Sequence, residues 1–202
     1  MRARSWRFGL TVFFCLGVAG YALWAYGGGV QRVPVHPEMA AVFDEHRGLI
    51  TLHAVGASFA LLLGPFQFLD GLRARAPRLH RRLGYAYLLL GVGVGGTAGL
   101  LLSPYSFGGL VSHLGFGLLA CLWLVTGAMA VVAAKRRRFD DHRLWMVRNF
   151  ALALAAVTLR VYLPASVMVG LRFEDVYPAI AWVCWVPNLI VVEWFFKKAP
   201  TN

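Results

Sequence analysis

The sequence predicts an all-α fold: a polytopic membrane helical bundle of six transmembrane helices, with both termini in the cytoplasm. Three observations predict it. The chain of 202 residues is 59% hydrophobic and only 14% charged, whereas soluble domains carry about 25% charged residues. Apolar runs of the length that crosses a bilayer, about twenty residues, recur along the whole chain. Lys and Arg concentrate in alternate links, the pattern that sets orientation in the cytoplasmic membrane.

The segments expected to span are 8–26, 48–69, 83–102, 111–134, 144–169 and 177–196, forming one domain over 1–202. The first follows Arg2, Arg4 and Arg7. It is too long for a signal-peptide core, lacks a clear cleavage motif, and stops at Gly27-Gly28-Gly29. The link after it sets Arg32 and Arg47 against Glu38, Asp44 and Glu45. The second helix is followed by Asp70 and the cations Arg73, Arg75, Arg78, Arg81 and Arg82. An uncharged turn joins the third helix to the fourth. Lys135, Arg136, Arg137, Arg138 and Arg143 then face only Asp140 and Asp141. Pro164 should kink or shorten the fifth helix. Arg172, Glu174 and Asp175 lead into the sixth, which ends at Lys197-Lys198. The cation-rich ends are thus the N-terminus, the second and fourth links and the C-terminus, which places the chain as a multi-pass protein with N and C inside. Trp6, Trp145 and Trp194 near the inner ends, and Trp24 near an outer one, sit where aromatic belts form.

Composition also excludes classes. The net charge of +11 lies at segment ends rather than on one face of a soluble domain, so nucleic acid is not an expected partner. Cys15, Cys121 and Cys184 each fall inside an apolar segment with no CxxC spacing. They read as small core hydrophobes, not as a disulfide frame or thiolate metal site.

Chemistry concentrates in four histidines. His53 and His113 open apolar segments, and His80-Arg81 and His142-Arg143 open the next ones, 27 and 29 residues later. By the expected topology, His53 lies roughly 7 Å inside the outer end of the second helix, at 1.5 Å per residue. His113 stands at the outer end of the fourth helix. His80 and His142 stand at the inner ends of the third and fifth. Ionisable groups within membrane segments mark functional sites by default, and facing helices build cofactor sites in bundle cores. An imidazole from each of two helices at one depth is the ligand set of haem b. The second to fifth helices would then form a cofactor-binding four-helix core with His53, His80, His113 and His142 as metal ligands. Two haems are expected, or one at the inner pair if His113 is not a ligand.

The surroundings offer space and counter-charge. Gly56, Ala60 and Gly64 share a helical face with His53, and Gly84, Gly91, Gly95 and Gly99 form a second small stripe. Such stripes admit a flat macrocycle, or simply close helix packing. Asn149, Ala153, Ala156 and Arg160 share the face of His142, so Arg160 reaches the outer layer, where a haem carboxylate or interfacial snorkelling would use it. Arg81, Arg82 and Arg143 could serve an inner haem likewise. The inner histidines also read as interfacial caps, and Arg148 with Glu193 as a structural ion pair. His36 and His46 read as hydrated link residues or a weak outer metal site, and His46 competes with His53 as ligand.

Two resemblances add to this. GPFQF from Gly64, HRRLGYAY from His80, HRLWMVRNFALALAAVTLRVYLP from His142 and AWVCWVPNLIVVEW from Ala181 resemble an uncharacterised bacterial family of predicted membrane proteins, a domain of unknown function. That implies a bacterial inner-membrane location and no chemistry. The order of histidines over four successive helices is similar to di-haem transmembrane cytochrome b proteins of the ascorbate-reducible, ferric-reductase type. That resemblance implies pairing of His53 with His113 and of His80 with His142. No ascorbate-site motif is present, so donor and acceptor do not transfer.

The expected function is therefore a b-type haem membrane protein moving electrons between a quinol or cytoplasmic donor and an outer acceptor such as ferric iron. Its partners would be the lipid bilayer and, as an open alternative, a second copy in a homodimer. Two readings compete: a haem-free transporter or binding module for a small anion built on Arg148, Asn149 and Arg160, and an assembly subunit of a larger membrane complex.

Overall fold

The computed structural model describes residues 2–28 and 32–197, so Gly29 and Lys198 lie outside the described residues, as do the side chains of Arg2, Arg4 and Lys197. Every regular element among the described residues is helical. Among the described residues, six helices are long and apolar enough to cross a membrane: Trp6–Tyr26, Arg47–Gln67, Pro77–Tyr105, Gly109–Lys135, Phe139–Met168 and Phe173–Phe195.

The third, fifth and sixth spans begin earlier than hydropathy alone indicates, because their helices absorb the charged residues in front of the apolar run. Helix α5 (Pro77–Ala86) starts on a proline, whose missing N–H costs nothing in a first turn, and carries Arg78, His80, Arg81 and Arg82. Helix α8 (Phe139–Ala153) has Asp140 and Asp141 in its first turn, and α10 (Phe173–Val183) has Glu174 and Asp175. Carboxylates there complement the positive end of the helix dipole. His80 and His142 are consequently each the fourth residue of a helix.

Contacts group the chain into two units, Met1–Leu102 and Ser103–Asn202. In the first, α1 (Arg2–Tyr26) buries Cys15, Ala19, Ala22 and Ala25 along one helical face. Helix α3 (Arg47–Gln67) packs on α1 and on the third span. Ser58 Oγ sits 3.4 Å from the Ala19 carbonyl and Thr51 Oγ1 3.2 Å from that of Tyr26. The first link holds a helix, α2 (Pro37–Glu45), where only a link was expected; Pro37 at its start and Glu38 in its first turn favour it. A short α4 (Asp70–Arg75) connects α3 to α5. The third span continues from α5 as a π-helical stretch, Tyr87–Gly95, and ends in α6 (Gly96–Leu102). A π-helix this long is rare, and such stretches often lie at functional sites.

In the second unit, α7 (Gly109–Lys135) and α8 form an antiparallel hairpin. The turn between them is a Schellman motif: Arg138 N–H donates to Ala133 O and Arg137 N–H to Ala134 O, both at 3.0 Å. Arg137 therefore takes a left-handed conformation, φ 58°. The fifth span breaks at Leu154, between α8 and α9 (Ala155–Met168), not at Pro164, which lies inside α9. The sixth breaks at Cys184–Trp185 before α11 (Val186–Lys197). These two breaks meet, and side chains take up carbonyls there. Asn188 Nδ2 donates to Ala151 O at 3.2 Å and to Cys184 O at 3.1 Å, and Thr158 Oγ1 also bonds Cys184 O. In lipid a carbonyl released from its helix must find such a partner. Pro164 is tolerated because α9 ends within a turn of it, at another Schellman turn with Gly170 at φ 80°.

Candidate functional site

The two glycine stripes meet each other. Along α3 and the third span, running antiparallel, a Cβ added at Gly56 would sit 2.5 Å from Gly95 N, and one at Gly91 would sit 2.9 Å from the Ala60 Cβ. Backbone fills the space over Gly56, so this face of α3 is used for helix packing and leaves no slot for a macrocycle there. Small residues allow this approach because membrane helices associate by close van der Waals contact. Gly64 is buried on the same helix.

His53 belongs to the same contact. Its Nδ1 lies 2.9 Å from Gly95 O, and a Cβ on Gly99 would fall 2.8 Å from Nδ1 and 3.0 Å from Cε1. The ring thus lies against bare backbone of the third span. A carbonyl only accepts, so Nδ1 carries the proton, and in the neutral ring the lone pair is on Nε2. His142 shows the same arrangement in the second unit: its Nδ1 lies 2.9 Å from Ala130 O on α7. Metal-ligating histidines usually donate their other N–H to a carbonyl or carboxylate in this way, which fixes tautomer and ring angle.

His113 is turned the other way. Its Nε2 lies 2.9 Å from Ser106 O, in the turn before α7, so Nε2 is the protonated atom. That bond ties α7 to its preceding turn, where Ser106 also bonds Ser103 O at 2.8 Å. His80 is half-buried on α5. His36 and His46 stand at the N-terminal boundaries of α2 and α3, and the His46 N–H donates to Val42 O at 2.9 Å.

The polar residues expected near a cofactor separate into two groups. Asn149 is fully buried, but its amide donates to Trp123 O at 2.7 Å and to Thr126 Oγ1 at 2.9 Å. It clamps α8 to α7. Arg160 is half-buried and donates to Ala156 O, one turn back on its own helix, at 3.0 Å. Arg81, Arg82 and Arg143 are exposed near the starts of α5 and α8. Arg148 forms a two-pronged pair with Glu193 of α11, at 2.6 and 2.9 Å, with its guanidinium 4.7 Å from the Trp145 ring centre. That is the structural pair read from the sequence.

Two features were not legible in the sequence. The carbonyls of Gly95 and Ala130 became partners of the histidines only through helix packing. Gln67 closes α3 with its side chain buried, and its Nε2 meets no acceptor among the described residues. A lone polar residue at the end of an apolar segment was the only signal for it. Among the described residues, no three or more of His, Cys, Asp and Glu come together as a metal site. Bis-imidazole ligation of a haem needs only two.

A family model described as a predicted membrane protein, DUF2306, matches residues 50–196. No curated protein and no solved structure matches the chain.

Proposed function

The chain belongs to the DUF2306 family of predicted membrane proteins, and we propose that it is a b-type haem protein of the bacterial inner membrane that transfers electrons. One observation carries the proposal. His53 and His142, each half-buried in a membrane span, each donate Nδ1–H to a backbone carbonyl of a neighbouring helix. A half-buried imidazole that only needed a partner could bond through either nitrogen. Two that both donate Nδ1–H to main chain have the tautomer of axial ligands, with the lone pair on Nε2. The bound haem would supply a one-electron centre. The chain's own part is to fix the imidazoles and raise their basicity through the carbonyl bonds.

His113 supports a smaller ligand set. Its Nε2 proton is engaged with Ser106 O, so ligation through that atom would require breaking a bond that ties α7 to the turn before it. We therefore rank His53 and His142 above His113. The small-anion alternative loses ground on the same kind of evidence, because Arg148 is paired with Glu193 and the Asn149 amide is spent on α7. Topology with both termini inside and transfer toward an outer acceptor remain parts of the proposal, resting on the charge pattern.

The test is the visible spectrum of the purified protein. A Soret band, with an α-band sharpening on dithionite reduction, is the expected result. A colourless protein from cells supplied with iron and haem precursor would overturn the reading.

A further inference from the structure

Helix α5 carries three arginines on one side. Arg78, Arg81, Arg82 and Tyr85 stand at i, i+3, i+4 and i+7, which is a single helical face, and all four are exposed. The opposite face, with His80, Leu83 and Gly84, is half-buried, and Gly84 lies against the Gln67 side chain of α3. No carboxylate offsets these arginines. The sequence has no Asp or Glu between Asp70 and Asp140, and Asp70 is taken by Arg73 at 2.7 Å. Among the described residues, Arg75, Arg78, Arg81 and Arg82 enter no ion pair. The other arginine-rich link differs: Arg138 pairs with Asp141 at 3.3 Å, and α8 opens on two carboxylates. Cations in the first turns of a helix add to its positive dipole end instead of offsetting it, so this face of α5 favours an anion.

The same face continues as hydrocarbon. Leu89 and Val94 follow Tyr85 by four and nine residues and are 66% and 40% exposed. With α-helical winding, Val94 would stand about two and a half turns beyond Tyr85, facing away from the arginines. The π-helical stretch Tyr87–Gly95, closed by i→i+5 bonds, takes wider turns and keeps Leu89 and Val94 in line with Tyr85. Three guanidinium groups, a phenol and two aliphatic side chains thus run in that order from the start of α5 into the span. A phospholipid presents its parts in the same order: phosphate, glycerol esters, acyl chain. Arginine matches phosphate oxygens, and tyrosine belongs at the membrane interface. A soluble anion or an acidic protein segment would match the arginines alone. We propose that this face of α5 and the π-helical stretch binds one anionic phospholipid. Its phosphate sits on Arg78, Arg81 and Arg82, and an acyl chain lies along Leu89 and Val94. The site does not depend on the haem reading.

The experiment is native mass spectrometry of the intact protein in detergent, titrated with phosphatidylglycerol or with phosphatidylcholine of the same acyl chains. Phosphatidylglycerol should form the tighter first adduct. Each arginine replaced by glutamine should weaken that adduct about fivefold, so Arg78→Gln, Arg81→Gln and Arg82→Gln together should weaken it roughly a hundredfold. The same charge removed at the other link, by Lys135→Gln, Arg136→Gln and Arg143→Gln, should leave the first adduct unchanged. Equal binding of the two lipids overturns the proposal, as does full retention in the α5 variant or an equal loss in the control. Displacement of the lipid by millimolar inorganic phosphate also overturns it, since the site would then read a free anion. If the triple variant does not fold or insert, Arg82→Gln decides: the about fivefold loss supports the site, and an unchanged adduct rejects it.

Discussion

The Nδ1 of His53 lies 2.9 Å from the carbonyl oxygen of Gly95, 42 residues further along the chain. Gly95 ends the π-helical stretch of the third span, and the same glycine packs its backbone against Gly56. One residue therefore sets both the closeness of two helices and the tautomer of a candidate ligand. The next glycine on that face, Gly99, lies under the imidazole ring.

Gly99→Ala should displace the His53 ring. The added methyl would lie 2.8 Å from Nδ1, and overpacking of this kind costs about 1–3 kcal/mol. A lower melting temperature in detergent is expected, with a changed Soret band in the loaded protein. An unaltered melt and spectrum together would show that the ring does not depend on this contact.

Gly56→Ala should be worse tolerated. Its Cβ would lie 2.5 Å from backbone nitrogen rather than from a movable side chain, so the helices must separate. A loss at or above the upper end of the same range, about 3 kcal/mol, is expected. Gly71→Ala in α4 is the control: nothing lies within 4 Å of its added Cβ, and replacing a helical glycine there should be neutral or stabilise by up to about 1 kcal/mol. Equal melting of the two variants would contradict the close approach of α3 and the third span.

The hydrogen bonds separate the histidines by consequence. His142→Ala should remove haem absorbance, because it deletes a ring whose Nδ1 is fixed by Ala130. His113→Ala should keep the absorbance and cost roughly 1 kcal/mol through the lost bond to Ser106. Haem content per protein, with the melt, distinguishes them; loss in His113→Ala and retention in His142→Ala would reverse the ranking.

Arg137→Gly should stabilise the protein. Arg137 holds φ 58° at the left-handed position of the turn after α7, a conformation costing a non-glycine residue roughly 1–2 kcal/mol. Glycine loses some of that gain to its freer unfolded state, so a net gain of about 1 kcal/mol or less should appear in thermal melts. Destabilisation would mean that the Arg137 side chain makes a compensating contact.

Much of the architecture was readable residue by residue. The six spans, the charged ends and the Arg148–Glu193 pair follow from where apolar and charged residues lie in order. Hydropathy does not show the early starts of α5, α8 and α10, because it discounts charged residues that helix termini welcome. Pro164 points to a kink or a shortening of the fifth helix, and α9 ends four residues after it; the break at Leu154, where Asn188 and Thr158 supply partners for the main chain, has no such marker.

By itself the sequence determined the class: how many segments enter the bilayer, which residues sit in them, and which histidines could carry chemistry. Those properties depend on hydropathy, charge and helical period, which are local. The tertiary structure decided how the candidates are used. It turned the Gly56 stripe into helix packing, committed Asn149 to a clamp, and left the Gln67 donor without an acceptor among the described residues. It also protonated His53 and His142 on Nδ1 but His113 on Nε2. Each of these depends on which atom lies opposite, often dozens of residues away. No one-dimensional pattern encodes that, because any small residue permits a close approach but only the partner helix determines what approaches.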